Sequence, residues 1–180
     1  MKKIAFIVFI FSAILQANTP NVMMHLYQKG AFIEACEMGY RHFDELKWNE
    51  AHLSLYAFSC LKADRIDRLD TPTVLLNKTS EARTNASYFS MLILQKKLLI
   101  QALYDNYPLK SLKLPTSSHL LSKIFSLYTH DPQPKNSIKD YNDSINPRIS
   151  YKLYMTQYNG HKTIAIDEYY DKIVSVHHVY

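Results

Sequence analysis

Asn159-Gly160 is the tightest constraint on how this chain can fold. An Asn-Gly pair between alternating segments marks a two-residue hairpin turn, because both positions must adopt the left-handed backbone that few residues tolerate. Placing the turn there sets the register of the flanking strands by arithmetic. Met155 then faces Ile164, Leu153 faces Ile166 and Ile149 faces Tyr170 on one side. Lys152 faces Asp167 and Thr156 faces Thr163 on the other. Apolar pairs on one face and a charge pair on the opposite one are what a half-buried antiparallel sheet requires. Asp171-Lys172 offers a second turn, and Ile173 to Tyr180 a third strand. Its alternation is less clean: Val174, Val176 and Val179 do not share one face, and His177-His178 interrupts them. An unbroken register would set His178 opposite Ala165 and His177 opposite Ile166. A three-stranded sheet is marginal alone, so it must rest on the remainder of the chain, pair with another chain, or both.

The first half reads as helices with short breaks. Val22 to Lys29 is stopped by Gly30. Phe32 to Phe43 places residues 32, 35, 36, 39, 40 and 43 on one apolar face at helical spacing. From about Asn49 to Lys62, Ala51, Leu55, Phe58 and Leu61, with Leu53, Tyr56 and Ala57 beside them, form a wide stripe. Tyr27-Gln28-Lys29-Gly30-Ala31-Phe32-Ile33-Glu34-Ala35-Cys36 resembles the turn region of a tetratricopeptide or Sel1-like repeat. Gly30 ends one helix, Phe32 follows two residues on, and Ala35 opens the packed face of the next. Trp48 and Ala51 echo the pattern, without a preceding Gly. The resemblance covers residues 23–69, under two repeats, and implies a protein-binding groove and no catalysis. Generic antiparallel helical hairpins are the other reading of the same residues.

Cys36 and Cys60 are the only cysteines. Their midpoint falls at the turn expected near Leu46 to Trp48, so antiparallel helices would bring them to one level. In an oxidising compartment an even count favours pairing. Two buried thiols are the alternative.

Thr71-Pro72 starts a short helix, since Pro suits a first helical turn. Thr79-Ser80 caps the longest one, about Glu81 to Asn106, which is apolar nearly all round apart from Gln95 to Lys97. Such a helix is surrounded by neighbours. Thr116-Ser117 caps another, with Leu120, Leu121, Ile124, Phe125 and Tyr128 on one face. From Asp131 to Pro147 the chain is polar and Pro-rich and reads as a linker. Within it, Asp140-Tyr141-Asn142-Asp143-Ser144 fits the extended acceptor pattern of some bacterial N-glycosylation systems, with Asn142 as acceptor, though so short a motif arises often by chance.

Residues 1–17 have the three-part layout of a secretory leader: Lys2-Lys3, an apolar run from Ile4 to Leu15, and a cleavable Gln16-Ala17. The run is shorter than the about 20 residues of a spanning helix. Cleavage after Ala17 removes Lys2 and Lys3 and takes the formal net charge from +5 to +3. That modest, scattered charge is no footprint for nucleic acid, and membrane contact would be peripheral at most. The three glycines exclude Gly-rich phosphate loops.

The organisation expected is therefore a leader (1–17), a helical repeat-like domain (18–130), a linker (131–147) and a β-meander (148–180): an α+β fold, mainly α. His161, His177 and His178 could approach one another, but no acidic residue is spaced with them as a metal set, and adjacent strand residues point to opposite faces. Asp167 and Glu168 alternate across the sheet and form no carboxylate pair. Ser117-Ser118-His119 lacks a nucleophile elbow. No catalytic, cofactor or metal site is expected. The meander's tyrosines, Tyr151, Tyr154, Tyr158, Tyr169, Tyr170 and Tyr180, are the candidate partner-binding residues, because Tyr-rich surfaces often contact partners. The leading expectation is an exported, periplasmic or secreted non-enzymatic scaffold that binds a protein partner in the cell envelope. The alternative is a small-ligand or lipid binder with an apolar cavity between the long helix and the sheet.

Overall fold

Gly30, at φ +75°, turns the chain between α1 (Thr19–Gln28) and α2 (Phe32–Arg41). The computed structural model describes residues 18–110, 112–132 and 138–180; the leader expected over 1–17 lies outside the described residues. After α2 come a short α3 (Phe43–Leu46) and then α4 (Glu50–Lys62), whose N-cap Asn49 accepts from Ala51 N at 3.0 Å and His52 N at 3.2 Å. A buried Cys36–Cys60 disulfide ties α2 to α4. The buried face of α2 is Ala35, Cys36 and Gly39. Gly39 is there because its neighbours come too close for any side chain: an added Cβ would run into the Tyr56 ring and sit 3.0 Å from Met23 Sδ.

Three apolar residues expected inside are outside. Tyr40 is exposed beneath the Arg68 guanidinium, Ala51 is exposed, and Trp48 is 76% exposed. Helix α3 re-aims the chain after residue 42, so the stripe of α4 facing inward is Leu53, Tyr56, Ala57, Cys60 and Leu61.

A 3-10 turn (Ile66–Leu69) leads into α5 (Asp70–Leu75) and α6 (Ser80–Asp105). Thr79 caps α6 by accepting from Ala82 N, and Asn106 ends it in the left-handed conformation. The turn before α6 is held from a distance: the Glu50 carboxylate accepts from the backbone N–H groups of Asn77, Lys78 and Thr79 at 2.8, 2.6 and 2.9 Å. The polar interruption in α6 is buried. Gln95 donates to Pro115 O at 2.8 Å, and the Lys96 ammonium reaches Asp67 at 2.6 Å. Helix α7 (Leu120–His130) begins later than expected, and its cap is His119 rather than Thr116-Ser117: His119 Nδ1 accepts from Leu121 N at 3.2 Å.

The sheet has four antiparallel strands in the order β1 (Lys139–Asn142), β2 (Ile149–Tyr158), β3 (His161–Tyr170) and β4 (Ile173–Val179). Strand β1 lies inside the segment read as a linker. Its alternation is genuine, with Lys139 and Tyr141 buried and Asp140 and Asn142 exposed, but only one of the four is apolar, so no strand pattern shows in the sequence. The β2–β3 register is the one set by Asn159-Gly160, through every pair from Ile149–Tyr170 to Tyr158–His161. Tyr141, Tyr151, Leu153, Ile164, Ile166 and Tyr180 join the helices in one buried core. Helix α6 lies against β2 and β3, and its Tyr104 hydroxyl shares its proton between Thr156 O at 2.7 Å and Thr163 O at 3.1 Å. The fold is α+β, mainly α, with the sheet packed on the helices of the same chain. No helix among the described residues is long and apolar enough to cross a membrane.

Candidate functional site

The helices and the sheet meet at a cluster of titratable groups built by two local irregularities. The first is at the end of α4, where the chain reverses through Asp64 at φ +59° and Arg65 N returns to Cys60 O at 2.8 Å. That turn aims the Asp64 carboxylate at the sheet. The second is a bulge between β3 and β4. Tyr169 pairs with Val174 but Glu168 pairs with Val176, leaving Ser175 as an extra residue whose hydroxyl donates to Glu168 O at 3.0 Å.

One inserted residue exchanges the two faces of a strand. His178 therefore stands opposite Ile166, and His177 opposite Asp167, one position from the register expected. His178 faces inward, where Nδ1 lies 2.7 Å from Asp64 and Nε2 3.1 Å from Glu168. Burial works against a charge there, but the Asp64 and Glu168 carboxylates outweigh it and raise the imidazole above its ordinary value. Each nitrogen thus lies within hydrogen-bond distance of a carboxylate, a clamp that favours the imidazolium form. The Tyr180 ring stacks on it at 5.9 Å, and the His119 ring lies 6.3 Å from that of Tyr180. Burial pushes His119 down to about 4, so it is neutral, with Nδ1 occupied by its cap bond.

His177 faces outward and bonds Asp167 at 2.5 Å, while Tyr154 donates to the same carboxylate at 3.1 Å. The acidic partners that sequence spacing did not provide thus come from the neighbouring strand and from the turn after α4. His161 stands apart at the hairpin mouth, so the three histidines are not brought together. No group of three His, Cys, Asp or Glu among the described residues is placed to hold a metal ion.

The candidate tyrosines divide. Tyr151 and Tyr180 are buried, which takes them off any partner surface; Tyr151 donates to Asp143 at 2.8 Å beside Lys123. Of the rest, Tyr158 lies under Arg65, Tyr169 under Lys152 and Tyr170 under Arg148. Asn142, the candidate acceptor, is exposed at the end of β1, while the adjacent Asp143 is held by Lys123 at 2.6 Å.

Beside the His178 clamp, a cleft of about 600 Å³ opens between the 3-10 turn, the middle of α6 and the β2–β3 hairpin. It occupies the place where an apolar cavity was expected, and its walls are charged. Arg65, Arg68, Lys96, Lys97 and Lys162 line it against the carboxylates Glu37, Asp64 and Asp67. The signals for this region in the sequence were faint: the misaligned valines of β4 for the bulge, and the Gln95–Lys97 interruption of an apolar helix for the cleft wall.

No family model matches this chain, and neither a curated protein nor a solved structure is detectably similar to it.

Proposed function

We propose that this is an exported, non-enzymatic protein of the cell envelope that works by binding a protein partner, and that the outer edge of β4 is where an extended strand of that partner docks. One observation carries the reading: β4 is an edge strand whose Ile173, Val174 and Val176 are 73%, 50% and 45% exposed. Natural edges are ordinarily blunted by charge, Pro or cover, because an open ladder pairs with any strand that meets it. An apolar open edge suits strand addition, in which main-chain bonds supply affinity and alternate side chains supply selectivity. Export is supported by the leader pattern of residues 1–17, and the Cys36–Cys60 disulfide is compatible with an oxidising compartment.

The sheet is part of the core, so deleting residues 149–180 would unfold the helices along with it. Edge substitutions are the appropriate test. Cross-linking in the native envelope should capture one recurrent partner with the wild-type protein and lose it with the double variant Val174→Lys, Val176→Lys, while far-UV circular dichroism stays unchanged. Capture that survives the double variant refutes docking at β4. A concentration-dependent dimer abolished by the variant would instead make the occupant a second copy of this chain.

A further inference from the structure

We infer that the cleft between the helices and the hairpin is a binding site for a small organic phosphate. Two of the cations that line it have no carboxylate partner. Arg65 follows the left-handed turn at Asp64, and Lys162 is the second residue of β3. Among the described residues neither has an acidic side chain within 4.0 Å. Each instead lies over an aromatic ring, Arg65 over Tyr158 at 4.7 Å and Lys162 over Tyr104 at 5.1 Å.

The other charges of the walls are committed. Arg68 holds Glu37 at 3.0 Å, Lys96 holds Asp67 at 2.6 Å, and Asp64 is taken by His178 at 2.7 Å. Lys97 meets Asp70 only at 3.8 Å, and both groups are more than half exposed. What remains for a ligand is therefore positive: the Arg65 guanidinium, the Lys162 ammonium and the loosely paired Lys97.

Like charges that line one partly enclosed space repel, and an anion bound among them relieves that repulsion. A guanidinium offers a rigid fork of donors and a lysine a mobile point charge, the combination that suits the several oxygens of a phosphate. The stacking on Tyr158 and Tyr104 holds both heads near their rings, which lowers the entropic cost of capture. A cleft of about 600 Å³ has room for more than an inorganic ion, and it falls in the usual range for small-molecule sites. Asn159 and His161 at the hairpin mouth supply further polar groups for the organic part. The same phosphate chemistry occurs in a soluble ester and in a lipid headgroup.

Calorimetric titration of the full chain at low salt, with glycerol 3-phosphate as the soluble probe and glycerol as its uncharged control, tests the site. Vesicles of phosphatidylglycerol against vesicles of phosphatidylcholine form the second arm. Binding of the phosphate ester but not glycerol, weakened at least tenfold in Lys162→Gln and further in Arg65→Gln/Lys162→Gln, would establish the site for a soluble ligand. Binding confined to phosphatidylglycerol vesicles, with the same dependence on Lys162, would assign it to a lipid headgroup. Lys162 is exposed, so its variant should fold, and an unchanged Tm checks this. No binding of either probe at millimolar concentration, or binding that Lys162→Gln leaves intact, overturns the inference.

Discussion

Asp64 and His178 are 114 residues apart in the chain and 2.7 Å apart in the fold. The pair joins the end of α4 to the last strand, and Glu168 completes it from the other side of the imidazole at 3.1 Å. This cluster adds a charged link to the apolar core and the Tyr104 bonds that also join the helices to the sheet.

His178 has a raised value in the folded state, so its stabilisation is fully present below the unfolded histidine value, about 6.5, and is lost as pH rises through the folded value. His178→Gln should cost about 2 kcal/mol at pH 6, because it leaves two carboxylates facing each other, and distinctly less at pH 9. Urea denaturation at the two pH values checks this. An equal cost at both would mean that His178 is not charged in the fold. His119 acts in the opposite sense. Its lowered value, about 4, makes the fold lose stability as pH falls from about 6.5 towards 4. His119→Asn retains a capping side chain and should remove that acid-side loss.

Asp143 answers to acid as well. The Lys123 ammonium at 2.6 Å, the backbone N–H groups of Asn146 and Ile145, and the Tyr151 hydroxyl together hold its carboxyl well below the usual range. A depressed carboxylate contributes stability above its unfolded value, about 3.9, and loses it as pH falls further. Asp143→Asn should lower stability at pH 7 by about 2–3 kcal/mol, since Lys123 loses its partner beside a nearly enclosed group. The deficit should shrink below pH 4. Thermal melts of both proteins across that range would show the two curves converging.

Gly39→Ala improves helix propensity and should still destabilise. The new methyl meets the Tyr56 ring and Met23 Sδ, both in the core. Overpacking of this kind costs about 1–3 kcal/mol, which exceeds the about 1 kcal/mol gained from replacing a helical Gly. Adding Tyr56→Leu to Gly39→Ala should cost less than the two single changes predict together, a coupling that a double-mutant cycle in urea would measure.

The Cys36–Cys60 bridge closes a loop with a sequence separation of 24. Restriction of the unfolded chain by a loop of that size contributes about 3 kcal/mol. Cys36→Ala/Cys60→Ala should lower the denaturation midpoint and steepen the slope, because the released unfolded chain exposes more surface. Both sulfurs are buried, so dithiothreitol should act on the native protein only as fast as it opens. Rapid reduction under native conditions would contradict that burial.

Local chemistry in the sequence determined much of this fold. Asn159-Gly160 imposes a turn that only left-handed residues satisfy, and with it every pairing of β2 and β3. Gly30, Asn49, Thr79 and Pro72 act within a few residues of themselves, and the helices they bound were legible for that reason. Tertiary structure alone decided the site. Strand side chains alternate with period two, so the single extra residue Ser175 turns His178 inward, and no local pattern names Asp64 or Glu168 as its partners. The same holds for β1, whose polar residues become a strand because β2 offers an open ladder, and for Gln95 and Lys96, which are buried because Pro115 O and Asp67 wait for them across the fold. Short-range sterics can be read along a chain; the pairing of distant charges exists only once packing has brought them together.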